Sequence, residues 1–180
     1  LVIDHYVPQF DRDAGSRSTY QFIRMFLKHG YVVKFIGDNF NHEEPYTSAL
    51  EQLGVEVLYG DEFRDGRILQ WIETNGEYID FAFMNRPHIT VKYLEFIREH
   101  TNIKCIYYGH DLHYLREGRE YALTGDKTKK EESDHWRKLE YSIMHTCEAV
   151  YYPSTMEEEE IRKVDPKIPE SVEAGKLKDM

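Results

Sequence analysis

Short apolar runs alternate with longer amphipathic stretches along this chain of 180 residues. The alternation predicts strands that alternate with helices, as in an α/β protein with a parallel sheet. The run Ile103–Tyr108 shows little alternation between apolar and polar residues, which is typical of a strand buried on both faces. We therefore predict a doubly wound, mostly parallel, Rossmann-like sheet of about six strands. The predicted strands are 1–6, 31–36, 55–59, 79–84, 103–108 and 149–152.

The amphipathic stretches supply the predicted helices, because their apolar residues recur three and four positions apart. Gly30 and Gly54 are the expected stops of the first two helices. Ser154 and Glu157 form a capping-box pattern at the start of the last one. The polar section 109–133 is expected to hold only short helices and a turn. The predicted helices are 18–29, 46–53, 66–74, 89–99, 136–145 and 155–164.

The length suits a single domain, which we place at residues 1–164. Residues 165–180 contain two prolines and a glycine and show no apolar stripe, so we predict a linker or tail there. The chain opens without a methionine on the apolar run Leu1-Val2-Ile3, as expected of a piece excised from a longer protein.

Charge and composition exclude several classes of partner. The chain has 33 acidic against 23 strongly basic residues, and its net charge of −10 argues against nucleic acid or an anionic membrane as the main partner. No apolar run approaches the roughly 18 residues of a membrane-spanning helix. Two cysteines do not make a disulfide framework, which favours a reducing compartment such as the cytoplasm.

The loop after the first predicted strand carries the first candidate site, formed by Gly15, Ser16, Arg17 and Ser18. A glycine at the start of a helix lets the backbone approach a ligand, and the free amides there suit a phosphate. The hydroxyls and the guanidinium would add donors. The alternative is that the serines only cap the helix.

Binding of a dinucleotide or of ATP is not supported by the same loop. Asp38 follows strand two, where an acid would hold a ribose, but the dinucleotide fingerprint needs three glycines and only Gly15 is present. The P-loop pattern is also absent.

Polar residues also follow the fourth and fifth predicted strands. Arg86 and His88 are expected at the sheet edge, either as ligand contacts or as part of a solvated loop. His110 comes directly after a buried strand and a glycine, so we expect its imidazole to contact a sugar or acceptor hydroxyl. Asp111 could orient that imidazole or cap a helix. His110 and His113 alone are too few ligands for a metal site.

The order of these segments resembles a known family. A strand and a glycine-containing loop open a long helix, and Gly-Tyr-Val-Val-Lys-Phe-Ile follows at 30–36. Asp80 and His88 flank the fourth strand, Tyr-Tyr-Gly-His-Asp stands at 107–111, and Ala-Val-Tyr-Tyr-Pro-Ser stands at 149–154. This pattern resembles the N-terminal domain of GT-B glycosyltransferases, nearest to glycosyltransferase family four (group one), over residues 1 to about 164.

The resemblance implies a hexosyltransferase-type enzyme that transfers a sugar from a nucleotide-sugar donor to an acceptor hydroxyl, usually with retention and with no metal or other cofactor. The loop Gly15–Ser18 would lie near the donor diphosphate, and His110, with Asp111, near the reacting sugar. The N-terminal domain would mainly bind a carbohydrate or lipid-linked acceptor, with Arg86 or Arg116 helping to hold it. The full-length enzyme would be cytoplasmic or peripheral to the membrane.

The sequence departs from the family in two ways. Many relatives have a Gly-Gly pair in the first loop, where this chain has Ala14-Gly15. We expect the donor-binding C-terminal domain to lie outside this chain, and we expect the fragment alone to be inactive. The signature of the donor-binding domain is two glutamates separated by seven residues. In this chain that spacing occurs by chance, at Glu43/Glu51, Glu132/Glu140 and Glu140/Glu148. The alternatives are a non-catalytic α/β binding or regulatory module and a nucleotide-binding oxidoreductase domain.

Overall fold

The computed structural model describes residues 1–168. In this part of the chain, parallel strands form a six-stranded sheet that is flanked by helices. The strands are β1 (Val2–Asp4), β2 (Lys34–Gly37), β3 (Glu56–Leu58), β4 (Phe81–Asn85), β5 (Lys104–Tyr108) and β6 (Ala149–Tyr151). The helices are α1 (Ala14–Lys28), α2 (Tyr46–Gln52), α3 (Arg67–Asn75), α4 (Pro87–His100), α5 (His113–Thr124), α6 (Lys127–Thr146) and α7 (Thr155–Val164).

The strand order is β3-β2-β1-β4-β5-β6, which confirms the predicted doubly wound, Rossmann-like sheet. β1 lies between β2 and β4, and its Ile3 pairs with Ile36 on one side and with Met84 on the other. The chain builds outward from β1 to β3 and then returns to place β4 on the opposite side of β1. The strand order therefore reverses between β1 and β4.

The chain forms two compact units, and the boundary between them lies within β5. The first unit, Leu1–Cys105, is built around side chains such as Phe35, Ile72 and Ile97, which are removed from solvent. The second unit begins at Ile106 and has its own buried side chains, among them Tyr107 and Met144.

The predicted glycine stop of α1 is confirmed. Gly30 has a φ of 83°, a left-handed conformation that glycine adopts without a steric penalty. Its amide donates to the Leu27 carbonyl at 3.0 Å, and the Tyr31 amide donates to the Phe26 carbonyl at 3.0 Å. This pair of bonds is a Schellman motif, which satisfies carbonyls that the last turn of a helix leaves open.

Two helices begin several residues earlier than predicted. α1 begins at Ala14 rather than near residue 18, because the Asp13 carboxylate accepts from the Ser16 amide and caps the helix. α6 begins at Lys127 rather than at residue 136, and Asp126 caps it by accepting from the Thr128 amide. The first half of α6 is highly charged, so apolar periodicity gave no sign of it.

The last described helix begins as predicted. The Ser154 hydroxyl accepts from the Met156 amide at 3.2 Å and caps α7. Of the predicted linker or tail, only 165–168 are described, and the Ile168 side chain is buried there. The remainder of that prediction, residues 169–180, lies outside the described residues. No helix in the described part of the chain has the length and apolar character needed to cross a membrane.

Candidate functional site

The first candidate site lies in the first unit, where β1 and β4 end side by side. Doubly wound sheets bind ligands beyond the carboxyl ends of the strands, at the point where the strand order reverses. Asp4 is the last residue of β1, and Arg86 directly follows β4. We call Asp4, Tyr6, Asp13, Ser16 and Arg86 the switch-point group.

Asp4 is a buried carboxylate that accepts hydrogen bonds from three donors. Its Oδ1 accepts from the His5 amide at 2.7 Å and from Arg86 Nε at 2.8 Å. Its Oδ2 accepts from the Thr19 hydroxyl at 2.8 Å. Burying a carboxylate is costly unless it is paired and hydrogen-bonded, and Asp4 meets both conditions.

Arg86 occupies an unusual backbone conformation for a residue with a side chain. Its φ is 62° and its ψ is 129°, a region that favours glycine. Its guanidinium lies 5.6 Å from the centre of the Tyr6 ring. Burial opposes the charge on Arg86, but the adjacent Asp4 carboxylate outweighs it and raises the pKa of Arg86 above its ordinary value. Arg86 is therefore a fixed positive charge at the sheet edge.

The predicted anion loop lies at the first turn of α1, and Asp13 occupies part of it. The Ser16 amide donates to Asp13 Oδ1 at 2.8 Å, and the Ser16 hydroxyl donates to Asp13 Oδ2 at 2.6 Å. The Ser18 hydroxyl donates to the Ala14 carbonyl, while Arg17 is exposed. A phosphate contact by Gly15–Ser18 stays a prediction, and the phosphate would have to share this helix end with a carboxylate.

Asp13 makes the free energy of unfolding of the first unit depend on pH. Partial burial opposes its ionisation, but hydrogen bonds from Ser16 and Tyr6 outweigh burial and lower the pKa of Asp13. Because the folded-state pKa is lowered, this stabilisation is present above the unfolded pKa of about 4 and is lost as the pH falls through the folded pKa. We expect Asp13→Ala to lower the free energy of unfolding by about 1 kcal/mol at pH 7. Urea denaturation at pH 7 and at about pH 3 measures the free energy of unfolding of the native protein and of Asp13→Ala. The difference between the two proteins should be smaller at the lower pH.

The matched variant is Asp13→Asn, since asparagine caps a helix about as well as aspartate but carries no charge. At neutral pH, Asp13→Asn should lower the free energy of unfolding less than Asp13→Ala does. A cost of Asp13→Ala that does not change with pH would contradict the role given to the carboxylate.

The second candidate site lies in the second unit, directly after β5. His110 follows Gly109, and its ring meets Tyr108 edge-on with the ring centres 4.8 Å apart. Asp111, which was predicted to orient His110 or to cap a helix, forms an ion pair with Arg116, with Arg116 Nη1 2.6 Å from Asp111 Oδ2. Arg116 Nε also contacts Glu117 Oε1 at 3.1 Å. Arg116 is thus paired with acids of its own unit.

Glu140 is the residue near this site that the sequence predictions missed. It is fully buried in α6, and its Oε1 accepts from the His113 amide at 2.9 Å. Its Oε2 accepts from the Tyr114 amide at 3.2 Å, and His113 Nδ1 lies 3.1 Å from its Oε1. Glu140 therefore caps the start of α5 from another helix. The available signal was its place on an apolar stripe with Trp136 and Ile143.

No family model, curated protein or solved structure matches the chain. Nothing beyond its own residues therefore assigns a role to either site. Within residues 1–168, no three His, Cys, Asp or Glu side chains are grouped so that they could hold a metal ion.

Some of the predicted site residues belong to the first unit and the others to the second. In the first unit, Asp13 joins Ser16 to Tyr6, whose hydroxyl donates to it at 3.2 Å, and Tyr6 in turn packs on Arg86. His88 meets His5 edge-on, with the ring centres 5.6 Å apart. In the second unit, the contacts join Asp111 to Arg116.

Gly109 fits its site only because it has no side chain. A Cβ at this position would overlap the ring of Tyr152, which is itself buried. We expect Gly109→Ala to lower the free energy of unfolding by about 2 kcal/mol, the usual cost of overpacking a core. The control is Gly118→Ala in α5, where the nearest atom is the Ser133 hydroxyl oxygen at 3.2 Å and alanine favours the helix. Equal costs for the two variants in urea denaturation would contradict the overlap at Gly109.

Proposed function

We propose that this chain is the acceptor-side domain of a GT-B glycosyltransferase, which transfers a sugar from a nucleotide-sugar to an acceptor hydroxyl. One observation carries the proposal: the candidate segments 15–18, 86–88 and 110–111 each lie between the end of a strand of the parallel sheet and the first turns of the next helix. Gly15–Ser18 open α1 after β1, Arg86–His88 open α4 after β4, and His110–Asp111 follow β5. These are the places where doubly wound sheets bind ligands.

The proposal gives each set of residues a role. His110 positions or polarises a hydroxyl at the transferred sugar, and Asp111 supports the segment that carries it. The first turn of α1 helps to bind the donor diphosphate, where fixed donors would stabilise the charge that develops on the leaving group. Arg86 or Arg116 helps to hold the acceptor. The donor itself requires a second domain.

The first turn of α1 keeps two amides for such a diphosphate. Asp13 takes the Ser16 amide, and the Asp13 carbonyl takes the Arg17 amide. The amides of Ala14 and Gly15 make no hydrogen bond to any residue in the described part of the chain. The proposed phosphate contact therefore rests on Gly15 and its neighbour rather than on the serine hydroxyls.

The oxidoreductase alternative finds less support. An acid after β2 would have to hold the ribose of a dinucleotide. Asp38 stands there, but its Oδ1 accepts from the Tyr93 hydroxyl at 2.8 Å and its Oδ2 pairs with Lys92. The carboxylate is already bonded to side chains of α4.

The test uses the polypeptide that joins this chain to the donor-binding domain we propose. A panel of nucleotide-sugars is supplied with mixed carbohydrate acceptors, and release of nucleoside diphosphate is measured. We expect release from at least one donor that depends on the acceptor. A folded polypeptide that releases no diphosphate from any donor, or that binds NAD tightly, would overturn the proposal.

A further inference from the structure

We infer that Arg86 is the receptor for an oxyanion, a carboxylate or a phosphate, on the ligand of the switch-point group, and that Asp4 is its positioning residue. The oxyanion site stands on the contacts of the first unit. That the oxyanion belongs to the sugar acceptor rests on the proposed function.

The contacts of Arg86 fix one side of the guanidinium and leave the other side open. Its Nε donates to the buried Asp4 at 2.8 Å, and its guanidinium carbon lies 5.6 Å from the centre of the Tyr6 ring. Within residues 1–168, the two terminal Nη nitrogens make no hydrogen bond, and the side chain is 22% exposed. Two parallel N–H donors on a planar fork match the two oxygens of a carboxylate or phosphate. The position is reachable from solvent, and its charge is permanent.

The two carboxylates near Arg86 are both engaged by donors of the chain itself. Asp4 accepts from the His5 amide, Thr19 and Arg86. Asp13 accepts from the amide and hydroxyl of Ser16 and from the Tyr6 hydroxyl. Each hydrogen bond weakens the negative potential that a carboxylate presents to a ligand. Among the side-chain donors of the switch-point group, those that make no hydrogen bond within residues 1–168 are therefore the Nη nitrogens of Arg86.

Asp4 acts through Arg86 rather than on the ligand. It is 2% exposed, so a ligand does not reach it, while its Oδ1 holds Nε. Arg86 also has a backbone conformation that is unfavourable for any residue with a side chain. An arginine in such a conformation at the point where the strand order reverses, anchored by a buried carboxylate, is placed for binding rather than for stability.

The experiment measures anion binding to the chain directly by nuclear magnetic resonance. The guanidinium Nε–H signal of Arg86 is followed during titration with inorganic phosphate, with glucuronate as a carboxylate, and with glucose as a neutral sugar. We expect saturable shifts with phosphate, glucuronate or both, and none with glucose. Shifts with one anion alone identify the source of the oxyanion. No shift with either anion, or an equal shift with glucose, would overturn the inference.

The variants separate positioning from charge. Arg86→Lys keeps the charge but loses the fork, and it should weaken anion binding about tenfold. Asp4→Asn should weaken it similarly and increase the exchange rate of the Nε proton with solvent, an effect that loss of packing elsewhere would not produce. Arg24→Gln is the control, because Arg24 also packs on a tyrosine, Tyr20, but has no carboxylate partner within residues 1–168. Anion binding that is unchanged in Arg86→Lys would contradict the claim that the planar guanidinium fork binds the anion.

This test fails separately from the proposed function. Anion binding without sugar transfer would support the oxyanion site and contradict the proposed transferase function. Sugar transfer without anion binding would support the proposed transferase function and contradict the inference that the acceptor carries an oxyanion bound by Arg86.

Discussion

Replacing Glu140 by alanine is expected to lower the free energy of unfolding by about 3 kcal/mol, the largest stability effect that we predict. The carboxylate is fully buried and accepts from the amides of His113 and Tyr114. Without it, the partly buried amide of His113 and the buried amide of Tyr114 would lose their acceptor. Leaving a buried donor unsatisfied costs about 1–3 kcal/mol for each group.

Urea denaturation followed by circular dichroism measures this loss. Glu140→Gln keeps an oxygen acceptor in place and should lose roughly half as much stability. Glu132→Ala is the matched control on the same helix, because Glu132 is exposed and its contact with Lys129 is a surface ion pair worth at most about 1 kcal/mol. Equal stabilities for Glu140→Ala and Glu132→Ala would contradict the capping role of Glu140.

Replacing His110 by alanine should reduce sugar transfer by the joined polypeptide about 100-fold or more, within the range for loss of a general acid–base or polarising group. The imidazole stands directly after the buried strand β5, with Gly109 before it and the pair Asp111–Arg116 after it. Tyr108 packs against its ring, which limits the orientations that the ring adopts.

The loss should appear in kcat while the fold is retained. His110 is only half-buried, so the alanine variant should keep a free energy of unfolding within about 1 kcal/mol of the native value. His135→Ala is the control, since His135 is an exposed imidazole on α6 of the same unit. Sugar transfer by His110→Ala at the native rate would contradict the role given to His110 in the reaction.

The arrangement of strands was predictable because it depends on local pattern. Apolar runs marked all six described strands, and Gly30 ended α1 where a left-handed residue was needed. The predicted start of α1 was late because the sequence does not show which polar residue caps a helix. Asp13 and Ser18 are both capable of capping, and the contact between Asp13 and the Ser16 amide decides between them.

The contacts of the candidate sites were less predictable, because they join residues far apart in sequence. Asp4 and Arg86 are brought together by the pairing of β1 with β4. Glu140 meets the start of α5 because α5 and α6 pack against each other. A single sequence marks each of these acids only as a charge beside apolar residues, and it does not name their partners.

The most direct measurement is the mass of the acceptor after reaction with a nucleotide-sugar, in the presence of the polypeptide that joins this chain to the proposed donor-binding domain. We expect an acceptor hydroxyl to gain one sugar residue, with release of one nucleoside diphosphate for each sugar transferred. An acceptor whose mass stays unchanged with every donor, in a polypeptide shown to be folded, would contradict the assignment of this chain to a sugar transferase.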